Sequence, residues 1–364
     1  MTIFTLRHVS FASEENDNEN IMIPDIDYSC VEKIFNQSDN TRNMSFEELV
    51  DNIQNSDYNG IKEYVKQIGI YLKNEFITWK NTLITLLTCA VISSICVSYF
   101  SGNSSKQVGQ TGCYVAYIIT CITMLGIYKE CVMVTVDTLK SINEFMGAFI
   151  PAYVAVTAFS TGSLSATGYY SLAIVLIAAV NIIIINVIIP MSNIYMLVNI
   201  SDNLLTDNHF GKMKKLVKNG ADFLMKMLIV IVCGVSVIQK MILPYKDILK
   251  RQTIYSAIKT MPVISGSLSG LNDIFFASAI VLKNSVGIAA IISLLVIISF
   301  PVIKIAIGMF ILKISAALTE PVTDIRISNG IDGGAKAVGI LLMSVIGGVA
   351  LFIISLAMAA GTGI

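Results

Sequence analysis

The fold is decided by residues 145–201, which read FMGAFIPAYVAVTAFSTGSLSATGYYSLAIVLIAAVNIIIINVIIPMSNIYMLVNIS and contain no charged side chain. The hydrocarbon core of a bilayer is about 30 Å thick, and a helix crosses it with about 20 apolar residues. This stretch is therefore long enough to cross a membrane twice. Further charge-free stretches lie on both sides of it, at 81–105, 107–128, 284–303 and 337–364. The sequence predicts an all-α, polytopic integral membrane protein.

Composition supports this class and argues against several functions. Hydrophobic residues make up 54% of the chain, charged residues 14%, and the mean hydropathy is +0.72. The formal net charge is +0, and no arginine-rich or aromatic-basic segment predicts binding to nucleic acid. The cysteines form no CxxC pair, and no histidine lies near them to complete a zinc site. Neither a metal site nor a cofactor is therefore expected. The chain contains no Walker A loop and no HExxH motif, and no nucleophile has the companion motifs that catalysis requires. We therefore expect no enzyme and no catalytic residue.

The chain divides into three parts. Residues 1–43 are polar and aperiodic, which predicts a flexible tail whose first residues resemble the remnant of a signal segment. Residues 44–80 show apolar spacings of three and four, which predict an amphipathic helical region leading into the membrane. Trp79 and Lys80 suit the membrane interface at its end. Residues 81–364 form the predicted polytopic membrane domain.

Within that domain, the apolar segments predict about 7–8 transmembrane helices with broken or re-entrant segments. The candidate crossings are 81–101, 111–134, 145–160, 170–198, 221–243, 273–299, 301–318 and 336–360. The candidate helix breaks are residues that end or bend helices, namely Pro151, Gly162, Pro190, Pro262, Gly266 and Pro301. The small hydroxylated residues at 160–168 fit either a tight turn outside the membrane or a re-entrant segment.

Two parts of the domain have a similar layout. The spacing from Pro151 to Pro190 equals the spacing from Pro262 to Pro301, and a Gly-Ser-Leu-Ser piece follows the first proline of each pair. Transporter folds are often built from such duplications, so one interpretation is an internal repeat of about 145–243 and 256–360. The other interpretation is coincidence, because the Gly-Ser-Leu-Ser pieces sit at different offsets from their prolines.

The lysines around segment 221–243 leave its orientation open. Basic residues lie on both sides of it, at 212–218 and 240–259, although positive charge favours the cytoplasmic side. Three explanations remain: one basic stretch lies outside, segment 221–243 does not cross, or one stretch is an amphipathic helix lying flat on an anionic surface. The piece from Lys212 to Lys226 suits the last explanation.

Polar residues within apolar segments are the candidate functional residues, since charge in a bilayer usually faces a bundle interior, a partner or water. Lys283 and Asn284 are the main candidates for a pore or gate, with snorkelling at a helix end as the alternative for Lys283. Lys304 and Lys313 fit snorkelling at the two ends of a short segment. The same set of pore, gate or structural candidates also contains Asp273, Glu320, Asp324 and Arg326. Residues 316–326 fit either a simple helix stop or an ordered loop in which Glu320 or Asp324 pairs with Arg326 or Lys313.

Several short pieces occur in an order that resembles one protein family. They are FIP at 149–151, PVISG at 262–266, LKNSVG at 282–287, FPVIK at 300–304 and AALTEP at 316–321, followed by Asp324 and Arg326. Over residues 140–360 the chain is similar to the stage III sporulation protein AE family of endospore-forming bacteria. It departs from the family pattern in having no convincing signal sequence and in carrying Ser265 where glycine is expected.

This resemblance implies a multi-pass subunit of the channel complex that joins mother cell and forespore during endospore formation. It implies a location in the mother-cell membrane around the forespore. The implied partners are other stage III sporulation membrane proteins and a secretion-type ATPase, with the chain in a homo- or hetero-oligomer in the lipid bilayer. A stand-alone secondary transporter and a non-conducting assembly scaffold are the alternatives.

Overall fold

The structure, a computed structural model, describes residue 31 and residues 59–100, 106–161, 176–204, 210–259 and 268–360. The predicted breaks at Gly162, Pro262 and Gly266 lie outside these ranges, as does most of the 160–168 turn. The described part contains helices and the turn at 320–324 but no strand, which confirms the all-α class.

Long helices make up the described chain. They are α1 (Asn59–Phe100), α2 (Lys106–Thr161), α3 (Leu176–Leu204), α4 (Gly211–Lys259), α5 (Leu268–Thr319) and α6 (Ile325–Ala360). Helix α3 contains one wider, π-helical turn at Ile184–Ile188. Helix α1 runs through the predicted domain boundary at residue 80, so the described part of the amphipathic region, residues 59–80, and the first apolar segment form one continuous helix.

Among the described residues, 5 helices are long and apolar enough to cross a membrane, so the predicted 7–8 crossings are not confirmed. These candidate spans are Lys66–Cys96, Thr111–Val156, Leu176–Leu204, Asn284–Thr319 and Ile325–Ile354. Part of the difference arises because two pairs of neighbouring predicted crossings merge. Segments 111–134 and 145–160 both belong to α2, and segments 273–299 and 301–318 both belong to α5.

The prolines explain why the predicted boundaries moved. Pro151 lies inside α2 and Pro301 inside α5, so neither residue ends a helix. A proline removes one backbone hydrogen bond, and packed membrane helices tolerate that loss where neighbours and local adjustments compensate for it. Ile189 follows the π-helical turn, and its N–H bonds to the Ile184 carbonyl across that wider turn; Pro190 is the next residue. The wider turn gives the proline ring room that a regular α-helix lacks.

Helix α6 lies at the centre of the bundle, where it packs against α2, α3, α4 and α5. Its glycines allow the close approach that membrane helices use in place of a hydrophobic driving force. A methyl group at Gly334 would overlap Met124 of α2, and one at Gly347 would overlap Met225 of α4. A methyl group at Gly348 would lie 3.2 Å from Leu139 Cδ2. The absence of a side chain matters most at Gly334, because Met225 meets position 347 only with the flexible end of its side chain.

Helix α4 contains segment 221–243, whose crossing the sequence leaves open. Segment 221–243 is not among the candidate spans of the described residues. The Lys212–Lys226 piece is the first part of one long helix that packs lengthwise on α3 and α6. It buries Ala221 and Met225, with Leu228 following on the same face. The piece is therefore continuous with segment 221–243 and is not a separate helix.

Candidate functional site: a buried polar ladder

Helix α3 carries a row of polar side chains on its buried face, within an otherwise apolar core. Spacings close to multiples of 3.6 residues place them on one side of the helix, toward α2 and α6. We call this row and its bonding partners the polar ladder. Its α3 members are Asn181, Ser192, Asn199, Asp202 and Asn203, each 3% exposed or less.

The first rung joins α3 to α2. The Asn181 side-chain amide donates a hydrogen bond to Asn143 Oδ1 at 2.6 Å. Asn181 Oδ1 has no hydrogen-bond partner among the described residues, and it faces the Gly348 position of α6 at 3.5 Å from where a methyl group would stand. A methyl group at 348 would be in ordinary van der Waals contact with this oxygen, so the amide does not require glycine there.

The second rung links three helices. The Tyr128 hydroxyl of α2 lies 2.9 Å from Ser192 Oγ and 2.8 Å from Asn193 Oδ1, so its single proton has two acceptors on α3. Ser192 then donates to the Ala337 carbonyl of α6 at 3.0 Å. A chain of bonds from α2 through α3 to α6 fixes the spacing and rotation of all three helices, because each donor has a defined direction.

The third rung centres on Asn199. Its amide donates to the Gly330 carbonyl of α6 at 2.8 Å. The Asn203 amide donates to the Asn199 backbone carbonyl at 2.8 Å and approaches its side-chain oxygen at 3.2 Å. A methyl group at Gly333 would overlap the Asn199 carboxamide, so only glycine fits there without displacing it. Beside this rung, the Tyr117 hydroxyl of α2 donates to the Ile200 carbonyl at 2.9 Å.

A buried charge ends the ladder. Asp202 is 1% exposed and accepts a hydrogen bond from the Phe210 backbone N–H at 2.8 Å. Its second carboxylate oxygen lies 2.6 Å from Lys214 Nζ of α4, whose side chain is 19% exposed. A carboxylate leaves water only when it is paired and hydrogen-bonded, and Asp202 is both. This rung fixes the start of α4 against the end of α3.

A second polar contact lies away from the ladder, where α1, α2 and α5 meet. Lys304 of α5 pairs with Glu130 of α2 at 2.7 Å, although the sequence predicted that it snorkels. Nearby on α1, Trp79 donates to Glu75 at 2.8 Å, while the Tyr71 ring packs edge-on against Phe300 at 4.7 Å. Both partners of the ion pair are partly exposed, so it orients these helices without a large contribution to stability.

The residues singled out from sequence lie elsewhere. Asp273 and Lys283 are on α5, but their side chains lie outside the described set, and Asn284 is exposed. Asp324 caps α6: its carboxylate accepts the Arg326 backbone N–H at 2.9 Å and lies 3.9 Å from Arg326 Nε. This geometry agrees with the ordered-loop interpretation of the turn. The structure does not bring these residues into the ladder.

The ladder members suit structural fastening. Amide and hydroxyl groups make most of the bonds, and Asp202 is already bound to Phe210 and Lys214. Within the described ranges, no group of histidine, cysteine, aspartate or glutamate side chains could hold a metal ion. Bonds between polar groups of facing membrane helices contribute about 0.6–2 kcal/mol each. The arrangement therefore holds α2, α3, α4 and α6 in one register.

These features define a polytopic, all-helical membrane protein with a hydrogen-bonded polar core. The chain belongs to the stage III sporulation protein AE family, whose model matches residues 44–363, and this membership supports a sporulation-related role. It is 23% identical over 261 residues to the stage III sporulation protein AE of Bacillus subtilis (strain 168), which covers 71% of this chain. The matched region spans 65% of that relative's length. No solved structure matches the chain.

Proposed function

We propose that this protein is a membrane subunit of the channel complex that joins mother cell and forespore during endospore formation. In this proposal it lies in the mother-cell membrane around the forespore. It assembles there with other stage III sporulation membrane proteins and a secretion-type ATPase, and it performs no enzymatic reaction. The observation that carries the proposal is the family match over residues 44–363.

The lengths of the helices support a role within an assembly. Helix α2 has 56 residues and α5 has 52, which at 1.5 Å per residue correspond to about 84 and 78 Å. The hydrocarbon core is about 30 Å thick, so both helices extend beyond it or lie strongly tilted. The middle of α2 presents exposed Lys129, Asp137, Lys140 and Glu144, which belong in water or against other proteins. Such a projecting bundle offers partners a large surface outside the bilayer.

The polar ladder bears on where a conduit would lie. Its hydrogen bonds run between helices of the same chain, and most of its polar atoms are already bonded. A path for solutes would therefore be formed between subunits, with this bundle as a rigid wall or platform. The stand-alone transporter requires a path within one chain.

Purification from sporulating cells of the native host separates the alternatives. We expect the tagged protein to co-purify with other stage III membrane proteins and the ATPase, and its deletion to block sporulation. A monodisperse monomer or dimer whose deletion leaves sporulation intact would support the transporter. If the purified complex is required for sporulation but gives no solute flux in liposomes, the scaffold function replaces the channel.

Lys283 provides a separate test of the predicted pore or gate residues. Replacing it with leucine removes a charge from an apolar segment, and we expect sporulation efficiency to fall while protein abundance stays normal. Lys313→Leu is the matched control, because this lysine lies on the same helix and is exposed. Normal sporulation with Lys283→Leu at normal abundance rejects the inward-facing role of Lys283 and leaves the family assignment untouched.

A further inference from the structure

A groove with a volume of about 480 Å³ runs along the outer face of α1, beside α5. From residue 72 to residue 83 it is about 16 Å long. The rings of Phe76 on α1 and Phe310 on α5 meet edge to face there, with their centroids 6.2 Å apart. The side chains that line the groove are apolar except for two lysines: Leu72, Lys73, Phe76, Ile77, Lys80, Leu83 and Ile311.

The end of the α1–α2 hairpin next to this groove has the length of a bilayer core. The two helices pack against each other near the loop that joins them, where Ser93 Oγ lies 3.4 Å from Cys113 Sγ. Segments 81–105 and 107–128 contain no charge. The second of them has 22 residues, about 33 Å of helix, and the hydrocarbon core is about 30 Å thick. This end of the hairpin therefore fits the hydrocarbon.

The groove crosses the level at which the hydrocarbon ends on this side of the bundle. Charge returns at Lys80, 13 residues along α1 from the Ser93 contact, and at Lys129, 16 residues along α2 from it. The two levels differ by about one helical turn. The boundary therefore lies near Lys80, with Leu83 on the hydrocarbon side of it and Lys73 on the side of the headgroups.

The two lysines of the groove are placed to bind an anion. Lys73 and Lys80 are seven residues apart, which puts them on nearly the same side of α1 and about 10 Å apart along it. Both are exposed, and within the described ranges neither has an ion-pair partner. Glu75 lies between them in sequence but accepts a hydrogen bond from Trp79 Nε1 at 2.8 Å. The headgroup layer is about 5–8 Å thick on each side of the hydrocarbon, so it lies between the two ammonium groups.

The form of the groove fits one lipid chain better than a protein partner. A helix is about 10–12 Å across with its side chains, so its body does not enter a groove of about 480 Å³, whereas an extended hydrocarbon chain does. A second copy that presents the same face would bring its lysines against these, and like charges oppose association. Basic pockets beside transmembrane helices are suited to anionic lipid headgroups.

We propose that this groove binds one phospholipid with an anionic headgroup, such as phosphatidylglycerol. Its phosphate lies between the ammonium groups of Lys73 and Lys80, and one acyl chain runs along Phe76, Leu83 and Ile311 into the bilayer. The apolar contact holds the lipid, and the lysines select its charge. This inference goes beyond the channel assignment and does not depend on it.

Trp79 provides the readout, because it is the single tryptophan of the chain and lies one turn from Phe76. The full chain is reconstituted in phosphatidylcholine vesicles that contain a small, equal fraction of either phosphatidylglycerol or phosphatidylcholine with brominated acyl chains. Bromine quenches tryptophan fluorescence at close range. We expect brominated phosphatidylglycerol to quench Trp79 at least about twofold more strongly than brominated phosphatidylcholine. Equal quenching by the two lipids overturns the proposal.

Matched variants locate the site. Lys73→Gln/Lys80→Gln removes both charges from the groove and should abolish the preference for phosphatidylglycerol. The control Lys129→Gln/Lys140→Gln removes two exposed lysines of α2 that do not line the groove, and it should keep the preference. If the control loses the preference to the same extent, the lysines attract anionic lipid to the whole surface, and the assignment to the groove is wrong.

Two further results would replace the lipid by another occupant. Ile77 is 59% exposed, and a cysteine at this position that cross-links efficiently to a second copy, together with equal quenching by both lipids, assigns the groove to self-association. Loss of the phosphatidylglycerol preference on addition of millimolar inorganic phosphate assigns the lysines to a free anion.

Discussion

Replacing Gly333 with alanine tests the polar ladder most directly. Gly333 lies on α6 opposite Asn199 of α3, and a methyl group there would overlap the Asn199 carboxamide. The carboxamide cannot turn aside without cost, because it donates to the Gly330 carbonyl at 2.8 Å and is 1% exposed. One added carbon atom therefore displaces a whole rung.

Three contributions set the size of this effect. Overpacking a core costs about 1–3 kcal/mol. Leaving a buried donor or acceptor unsatisfied costs about 1–3 kcal/mol more. Alanine offsets about 1 kcal/mol of this loss through its higher helix propensity. We expect a net decrease of about 3 kcal/mol in the free energy of unfolding, which for a chain of this length lowers the melting temperature by roughly 4 °C.

The assay is thermal unfolding of the detergent-purified protein, followed by the loss of monodisperse protein in size-exclusion chromatography. Gly339→Ala is the matched control on the same helix, because its methyl group would lie 3.5 Å from Met309 Sδ, an ordinary contact. The double variant Gly333→Ala/Asn199→Ala should be less destabilised than the sum of its single variants, since truncating Asn199 makes room. If Gly333→Ala is as stable as Gly339→Ala, the argument for the Asn199 rung fails.

The same assay checks the other contacts. Asp202→Asn should lower the free energy of unfolding by about 1–3 kcal/mol. This is less than the loss of a fully buried ion pair costs, because Lys214 is 19% exposed. The control, Asp332→Asn in the exposed pair with Lys336, should change stability by less than about 1 kcal/mol. Tyr128→Phe should lower the free energy of unfolding by about 1–2 kcal/mol, because it removes the hydrogen bonds to α3. The control Tyr114→Phe, at a more exposed tyrosine, should cause no measurable change. Equal stabilities of the two variants would reject the second rung. Glu130→Lys and Lys304→Glu should each cost up to about 1 kcal/mol, and the double exchange should recover most of it; a double variant that behaves as the sum of the singles argues against a direct pair.

The fold class was predictable because an uncharged segment long enough to cross a bilayer is usually a transmembrane helix. Residues 145–201 and the terminal segment from 337 gave the helical membrane assignment without reference to packing. The number of crossings was not predictable, since Pro151 and Pro301 end helices in water but remain inside α2 and α5 here. The charged residues within α2 also made segments 111–134 and 145–160 look like two separate crossings, although one helix contains both.

The ladder was largely missed from sequence. Ser192, Asn199 and Asp202 were not singled out from the sequence, although they are buried on the same face of α3 as Asn181. Their partners are carbonyls of Gly330 and Ala337 and the hydroxyl of Tyr128, and no local pattern identifies a contact between residues more than 60 positions apart. Lys304 was noticed, but its pairing with Glu130 depends on how α2 and α5 pack.

The π-helical turn at Ile184–Ile188 sets the rotational phase of α3. Asn181 lies before this turn, and Ser192, Asn199 and Asp202 lie after it, yet all of them are buried on the side that meets α2 and α6. Each residue of an α-helix turns the chain by about 100°. Closing this turn with regular α-helical bonds over the same number of residues would therefore rotate one half of α3 by roughly that angle against the other, and the rungs on the two sides could no longer form together. The hydrogen-bond spacing of this one turn decides whether both halves of the ladder face the same neighbours.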